Sequence, residues 1–397
     1  VTWVAHLVRT MDGARGAQLT LSNEGGWEIP LNGIEEFSVT VGKRQLLRLD
    51  PLWWKPWRVS VAVSWVREDG SLDAWVAGPL VNLPSGESRT TATLPCRGIG
   101  AALAERVLTA QEPINLSTAA QVEMMTKNLR YAGMSYGTIA QEVVKRGLAK
   151  VGGSYPIVFG SPREQGSTLR TRTYDGYNLA NNQVWKRLAE LSGVRNGPDI
   201  AFRPRWRDDG NLEWVMVHGT HAQPQIAQTW AMDLDTTSHR SPIASVNVTT
   251  DASRLASRVY WTGAGEGSTT MVRVAEDRSR LADQMPLLET VGSTSDSDNR
   301  NLIRDHALGE LAASKTPVTQ IDMRVNGADP RAEIGRWRVG DAARVTMGDE
   351  WLTVPAGTTS KRIIAASGSW KNSMVDLSFQ DDAVHGPDDY LDEEEIE

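Results

Sequence analysis

Cysteine is nearly missing from this chain of 397 residues, where Cys96 stands alone. An intramolecular disulfide and a cysteine-based metal site are thereby excluded, and the usage fits assembly in a reducing cytoplasm. Phenylalanine is scarce as well, with four residues against fifteen tryptophans. No apolar run approaches the length of a membrane span, and the first ten residues lack a basic start followed by a sustained apolar stretch. Neither a membrane helix nor a secretory signal is expected. An excess of positive charge is absent too. The net charge is −7, and Asp388, Asp389, Asp392, Glu393, Glu394, Glu395 and Glu397 supply seven acids with no base among them. Without them 42 acidic residues face 42 basic ones, a balance that argues against a nucleic-acid-binding domain. Residues 381–397 are expected to form a disordered, self-repelling tail, with contact to a basic partner surface as the sharper alternative.

Catalytic signatures are missing in the same way. Of six histidines only His218 and His221 lie close together, and no third ligand has recognisable spacing for zinc. Gly263, Gly265 and Gly267 alternate, but no Lys-Ser/Thr follows and Glu266 would repel a phosphate. Gly98 and Gly100 begin a dinucleotide fingerprint whose third glycine is Leu103 instead. No Gly-x-Ser-x-Gly occurs, and Cys96 has no plausibly placed histidine. Neither a cofactor, a metal nor an enzymatic role is expected. A glycan hydrolase built on two distant carboxylates stays the alternative, since spacing cannot exclude it.

What is present is turn-rich alternation: 35 glycines, 18 prolines and 40% hydrophobic residues fit a mostly β globular chain. Within residues 1–97, short strands are predicted at Trp3–Val8, Gln18–Ser22, Ser38–Val41 and Ala74–Val81. The clearest is Arg58–Val66, with Val59, Val61, Val63 and Trp65 set against Arg58, Ser60, Ala62 and Ser64. From Gly98 the period changes. Helices are predicted near Ile99–Val107, 118–130, Thr138–Lys150 and Asn182–Leu191, and 160–173 reads as a polar loop. Ile200–Arg207 and Leu212–Val217 form a hairpin across Asp209-Gly210, and Ile243–Val248 and Ala256–Thr262 are strands again. Near the C-terminus, Leu302, Ile303, Ala307, Leu308 and Leu311 share a helical face that Lys315 and Pro317 close. Thr319–Val325 then alternates, Trp337-Arg-Val-Gly-Asp341 leads into Ala343–Met347, and Lys361–Ala366 and Met374–Phe379 follow. That stretch reads as one helix packed on a small antiparallel barrel.

Two surface patterns stand out. Trp53, Trp54 and Trp57 form the densest aromatic cluster. They read first as a barrel-edge loop, and alternatively as a platform for envelope glycan or a membrane interface. Arg203, Arg205 and Arg207 alternate on one strand face, a solvated face by default and otherwise a stripe for an acidic partner, such as the 388–397 tail of a neighbour.

The order of a helix ending before Thr-Pro, an alternating strand, Trp337-Arg-Val-Gly-Asp341, a strand, Arg362-Ile-Ile and a final alternating strand resembles bacteriophage tail-hub proteins. More narrowly, it looks like the minor tail proteins of long-tailed phages that infect actinobacteria. The helix, strand, Asp-Gly, strand order of the middle extends the resemblance there. It implies a mainly β chain with α+β insertions and two small tube-forming antiparallel β-barrels. Residues 1–97 would form the first barrel and 98–242 an α+β domain. Residues 243–265 with 317–380 would form a second, discontinuous barrel, and 266–316 an insertion with a helix. Three copies would build a pseudo-sixfold ring in the virion tail tip that closes the tube, nucleates assembly and gates DNA exit. The implied partners are further copies of itself, the distal tail protein, the tape-measure protein and other tail-tip or receptor-binding proteins. Neither sequence-specific nucleic-acid binding nor stable membrane insertion is implied, and cell-wall cleavage would sit on other proteins. A hexameric distal tail protein or a glycan-binding tail-tip module is the alternative.

Overall fold

Side-chain alternation sets the first seven strands: β1 (Trp3–Arg9), β2 (Arg15–Leu19), β3 (Leu21–Pro30), β4 (Glu36–Gly42), β5 (Val59–Val66), β6 (Leu72–Pro79) and β7 (Thr91–Arg97), with a short helix α1 (Lys43–Leu47) after β4. A computed structural model describes residues 3–82, 87–111, 119–194, 196–228, 230–279, 284–295 and 297–381. The acidic run from 382 onward lies outside the described residues. Strands β2, β1, β5 and β6 form one antiparallel sheet in that order, with Trp3 opposite Trp65. Val59, Val61, Val63 and Trp65 point into the main core, as the alternation predicts. The opposite face of β5 is buried too. Ser60 bonds Thr10 at 3.0 Å, Ser64 accepts the Trp206 Nε1–H at 2.9 Å, and Ala62 joins a second core. Small side chains there let the next layer approach closely.

That layer is the middle of the chain: α2 (Gly100–Ala104), α3 (Ala119–Met125), β8 (Leu129–Met134), α4 (Tyr136–Leu148), β9 (Ile157–Phe159), β10 (Arg170–Tyr174), α5 (Val184–Ser192), β11 (Ile200–Trp206) and β12 (Leu212–His218). Ser135 caps α4, its hydroxyl accepting the Thr138 N–H at 3.2 Å. Ile139, Val143 and Val144 bury against Val184, Leu188 and Leu191 of α5 in the second core. The stretch read as a polar loop holds β10, which pairs with β8. Hairpin β11–β12 turns at Gly210, whose φ of 81° suits a residue without a Cβ. Trp214 Nε1 donates to the Ala77 carbonyl at 3.0 Å, tying this layer to β6.

The remainder comprises β13 (Met232–Asp235), β14 (Ile243–Asp251), β15 (Arg258–Thr262), β16 (Val272–Glu276), β17 (Glu289–Ser293), α6 (Arg300–Ser314), β18 (Val318–Asn326), β19 (Ala342–Met347), β20 (Gly357–Ser369) and β21 (Met374–Asp381). A nine-stranded sheet runs β14-β18-β21-β20-β3-β4-β7, with β19 also on β20 and β13 parallel to β19. Strand β20 makes this possible by its length. Residues 357–362 pair with β19, and 365–369 pair with β3. Strands from both ends of the chain thus share one hydrogen-bonded sheet.

Helix α6 starts where predicted, with the Asn299 side chain accepting the Asn301 and Leu302 N–H groups at 3.0 and 3.3 Å. Its partner differs from expectation. It packs on β15 and β16 of a separate three-stranded sheet, β16-β15-β17, and not on the strands that follow it. Ala307 and Leu311 bury against Val259 and Ala275, and His306 stacks on Trp261 at 5.1 Å. The apolar face of α6 was legible, but its receptor is assembled from strands on the N-terminal side of the helix.

Tryptophan fills the main core. Trp65, Trp370 and Trp27 all meet Trp3 edge to face, Trp27 meets Trp75, and Trp75 meets Trp337, at centroid separations of 4.9–6.3 Å. Edge-to-face contact sets the positive rim of one ring against the negative face of the next. The same rings bridge the four-stranded and nine-stranded sheets.

Candidate functional site

Between the β5–β6 hairpin, β11 and the Trp337–Asp341 turn lies a cleft of about 490 Å³. Arg67 and Asp73 enter from the hairpin, Arg203 and Arg205 from β11, Arg338 and Asp341 from the turn, and Arg336 from the residue before it. Alternation on β11 directs Arg203 and Arg205 to one side, while Phe202 goes to the second core. Pro204 lies opposite Trp214 on β12. Gly340, with φ of 95°, bends the turn so that Asp341 Oδ2 accepts the Arg338 backbone N–H at 2.8 Å.

The ion pairs are unevenly distributed. Asp73 accepts from Arg67 at 2.5 Å and from Arg338 at 2.6 Å. Arg205 Nε donates to Glu213, its cross-strand neighbour on β12, at 2.9 Å, and Arg336 pairs with Glu333 at 2.7 Å. Arg203 is served least. It stands 3.5 Å from Asp341, and its buried Nε has no hydrogen-bond partner among the described residues. Burial lowers the Arg203 pKa from its ordinary value, and Arg338 adds to the effect, although Asp341 opposes it. Burial also raises the Asp341 pKa against the pull of Arg203 and Arg338. An arginine-rich cleft of this kind can hold a carboxylate or another planar oxyanion.

Of the three arginines singled out in the sequence, Arg203 and Arg205 therefore share the cleft. Arg207 does not, since it pairs with Asp209 in the hairpin at 2.7 Å. The Trp53–Trp57 loop is divided too. Trp53 and Trp54 sit on a 3-10 turn, Pro51–Trp54, and pack partly buried against the main core. Trp57 is 42% exposed with a left-handed φ of 63°, and its N–H donates to the Leu80 carbonyl at 2.8 Å. His218 is buried, with Nδ1 2.7 Å from the Gly219 carbonyl and Nε2 2.8 Å from Gln141, whereas His221 is exposed. Among the described residues no group of three or more His, Cys, Asp or Glu side chains could hold a metal ion. No described helix is long and apolar enough to cross a membrane.

Sequence reasoning missed Arg67, Asp73, Arg336, Arg338 and Asp341 as members of one site. Arg338 and Asp341 stood in the Trp337–Asp341 motif, which was read for its place in the order of elements. Asp73 is 265 residues from its partner Arg338, and no spacing rule joins them.

No protein-family model matches the chain, and no curated protein matches it. Solved structures do. A tail protein from Neisseria meningitidis is 15% identical with a TM-score of 0.57, over 98% of this chain and 100% of that one. The 43 kDa tail protein of prophage MuSo2 from Shewanella oneidensis is 12% identical with a TM-score of 0.55, over 96% and 100%. The chain thus has the fold of phage tail proteins along nearly its whole length.

Proposed function

We propose that this chain is a structural hub of a phage tail tip, acting by assembly and opening, with no bond made or broken. The observation that carries the reading is the match of fold to two tail proteins, each over at least 96% of this chain and all of the other. The order of elements around Trp337–Asp341 independently supports a hub. So does the junction of β3 with β20, which sets β3, β4 and β7 beside the strands of 317–380 in one sheet. Two tube-forming units in each chain would allow three copies to complete a pseudo-sixfold ring. Such a ring would close the tail tube beneath a sixfold distal ring, nucleate assembly with the tape-measure protein and release DNA on opening. The test is co-purification with the distal tail protein of the same tail. A complex of one ring of each is expected, and persistent failure to associate overturns the hub assignment.

A further inference from the structure

We propose that the arginine-lined cleft is a carboxylate-binding site and that its occupant is the acidic run Asp388–Glu397 of the same chain. Three guanidinium groups, those of Arg67, Arg203 and Arg338, share two carboxylates, those of Asp73 and Asp341. The deficit is local and falls on Arg203, whose one carboxylate contact, to Asp341, is the longest of the three at 3.5 Å. A guanidinium with so long a contact keeps donor capacity for a second acceptor, and a carboxylate fits its forked donors. At about 490 Å³ the cleft has room for a short peptide segment. Rim arginines Arg205 and Arg336, paired with Glu213 and Glu333, stand around its mouth. Residues 388–397 hold seven acids and no base.

Reach favours the same chain. Asp381, at the end of β21, pairs with Lys361, which pairs with Ala343, two residues beyond Asp341. Two strand spacings and two residues amount to about 12 Å. The seven steps from Asp381 to Asp388 span up to about 23 Å when extended. A tethered segment at such a distance acts at an effective concentration in the millimolar range, so modest contacts suffice. This inference does not rest on the hub reading.

The test uses the full-length chain with the seven carboxylates of 388–397 replaced by amides, and a fluorescein-labelled peptide of residues 386–397. By fluorescence anisotropy, the peptide is expected to bind the amide variant at least about tenfold more tightly than the wild type, whose own tail competes. Adding Arg203→Gln to the amide variant weakens binding by about tenfold, the worth of one charge-assisted hydrogen bond, and Arg207→Gln leaves it unchanged. Should Arg203→Gln fail to fold by circular dichroism, the rim variants Arg205→Gln and Arg336→Gln together carry the test, with the same weakening expected. No binding, equal binding to wild type and amide variant, or indifference to the cleft substitutions overturns the proposal.

Discussion

The Arg362 guanidinium of β20 is buried against the Asp199 carboxylate, just before β11, so that one ion pair joins the nine-stranded sheet to the middle layer. Asn32 Nδ2 also donates to Asp199 at 3.1 Å, and Asn32 Oδ1 accepts the Ile200 N–H at 2.8 Å. Removing one partner of a buried pair leaves a charge uncompensated, whereas replacing both by apolar groups is far milder. Asp199→Ala is expected to lose about 3–5 kcal/mol of stability, and the double variant Asp199→Ala/Arg362→Met substantially less. Urea midpoints check this, and equal losses in the two variants contradict it.

Trp337 is fully buried, meets Trp75 at 5.1 Å and donates its Nε1–H to the Ala332 carbonyl at 3.0 Å. Trp337→Ala should cost about 3–5 kcal/mol, because the surrounding rings cannot collapse into the space. Thermal unfolding of this variant against the wild type is the measurement.

Trp57 should behave in the opposite way. Its left-handed backbone costs an L residue about 1–2 kcal/mol, and its ring is substantially exposed. Trp57→Gly keeps the conformation and relieves the strain, so stability is expected to hold or rise by up to about 1 kcal/mol. Trp53→Ala, which strips a ring from the core edge, is expected to lower it. Equal losses in both variants would contradict this division of the loop.

Two groups pull the pH dependence in opposite directions. Burial first, and then the neighbouring Arg15, lower the His6 pKa from 6.5 to about 4. The unfolded chain then binds more protons between these values, so stability is full above about pH 6.5 and falls toward pH 4. Burial raises Glu35 from 4.5 to about 7. There the native state keeps a proton that the unfolded chain releases, so its contribution is full below pH 4.5 and lost as pH rises through 7. Glu35→Gln is expected to raise the melting temperature relative to wild type at pH 8 more than at pH 4.5. His6→Gln should flatten the acid limb. Melts at intervals from pH 4 to pH 8 separate the two, and parallel shifts at every pH contradict the assignment.

Local pattern carried much of the fold. Val59, Val61, Val63 and Trp65 announced both a strand and its core face, and Asn299 with the apolar face of α6 announced a helix. What the pattern could not supply was the partner of each surface. Ser60 and Ser64 look solvent-facing because hydroxyls are polar, yet Thr10 and Trp206 cover them. Helix α6 was assigned to the strands after it, while Trp261 and Val259, earlier in the chain, receive it. The cleft was half legible. Alternation put Arg203 and Arg205 on one face, but their neighbours Asp73 and Asp341 come from segments that only folding brings together.

A hub and a distal tail protein differ in how many copies close a ring. Light scattering on the purified chain, with negative-stain images of the same fractions, measures this directly. A mass of about three times the 43.5 kDa chain, with six-lobed outlines, is the expected result. Six copies in a ring would contradict a hub with two tube-forming units in each chain and would point to a distal tail protein.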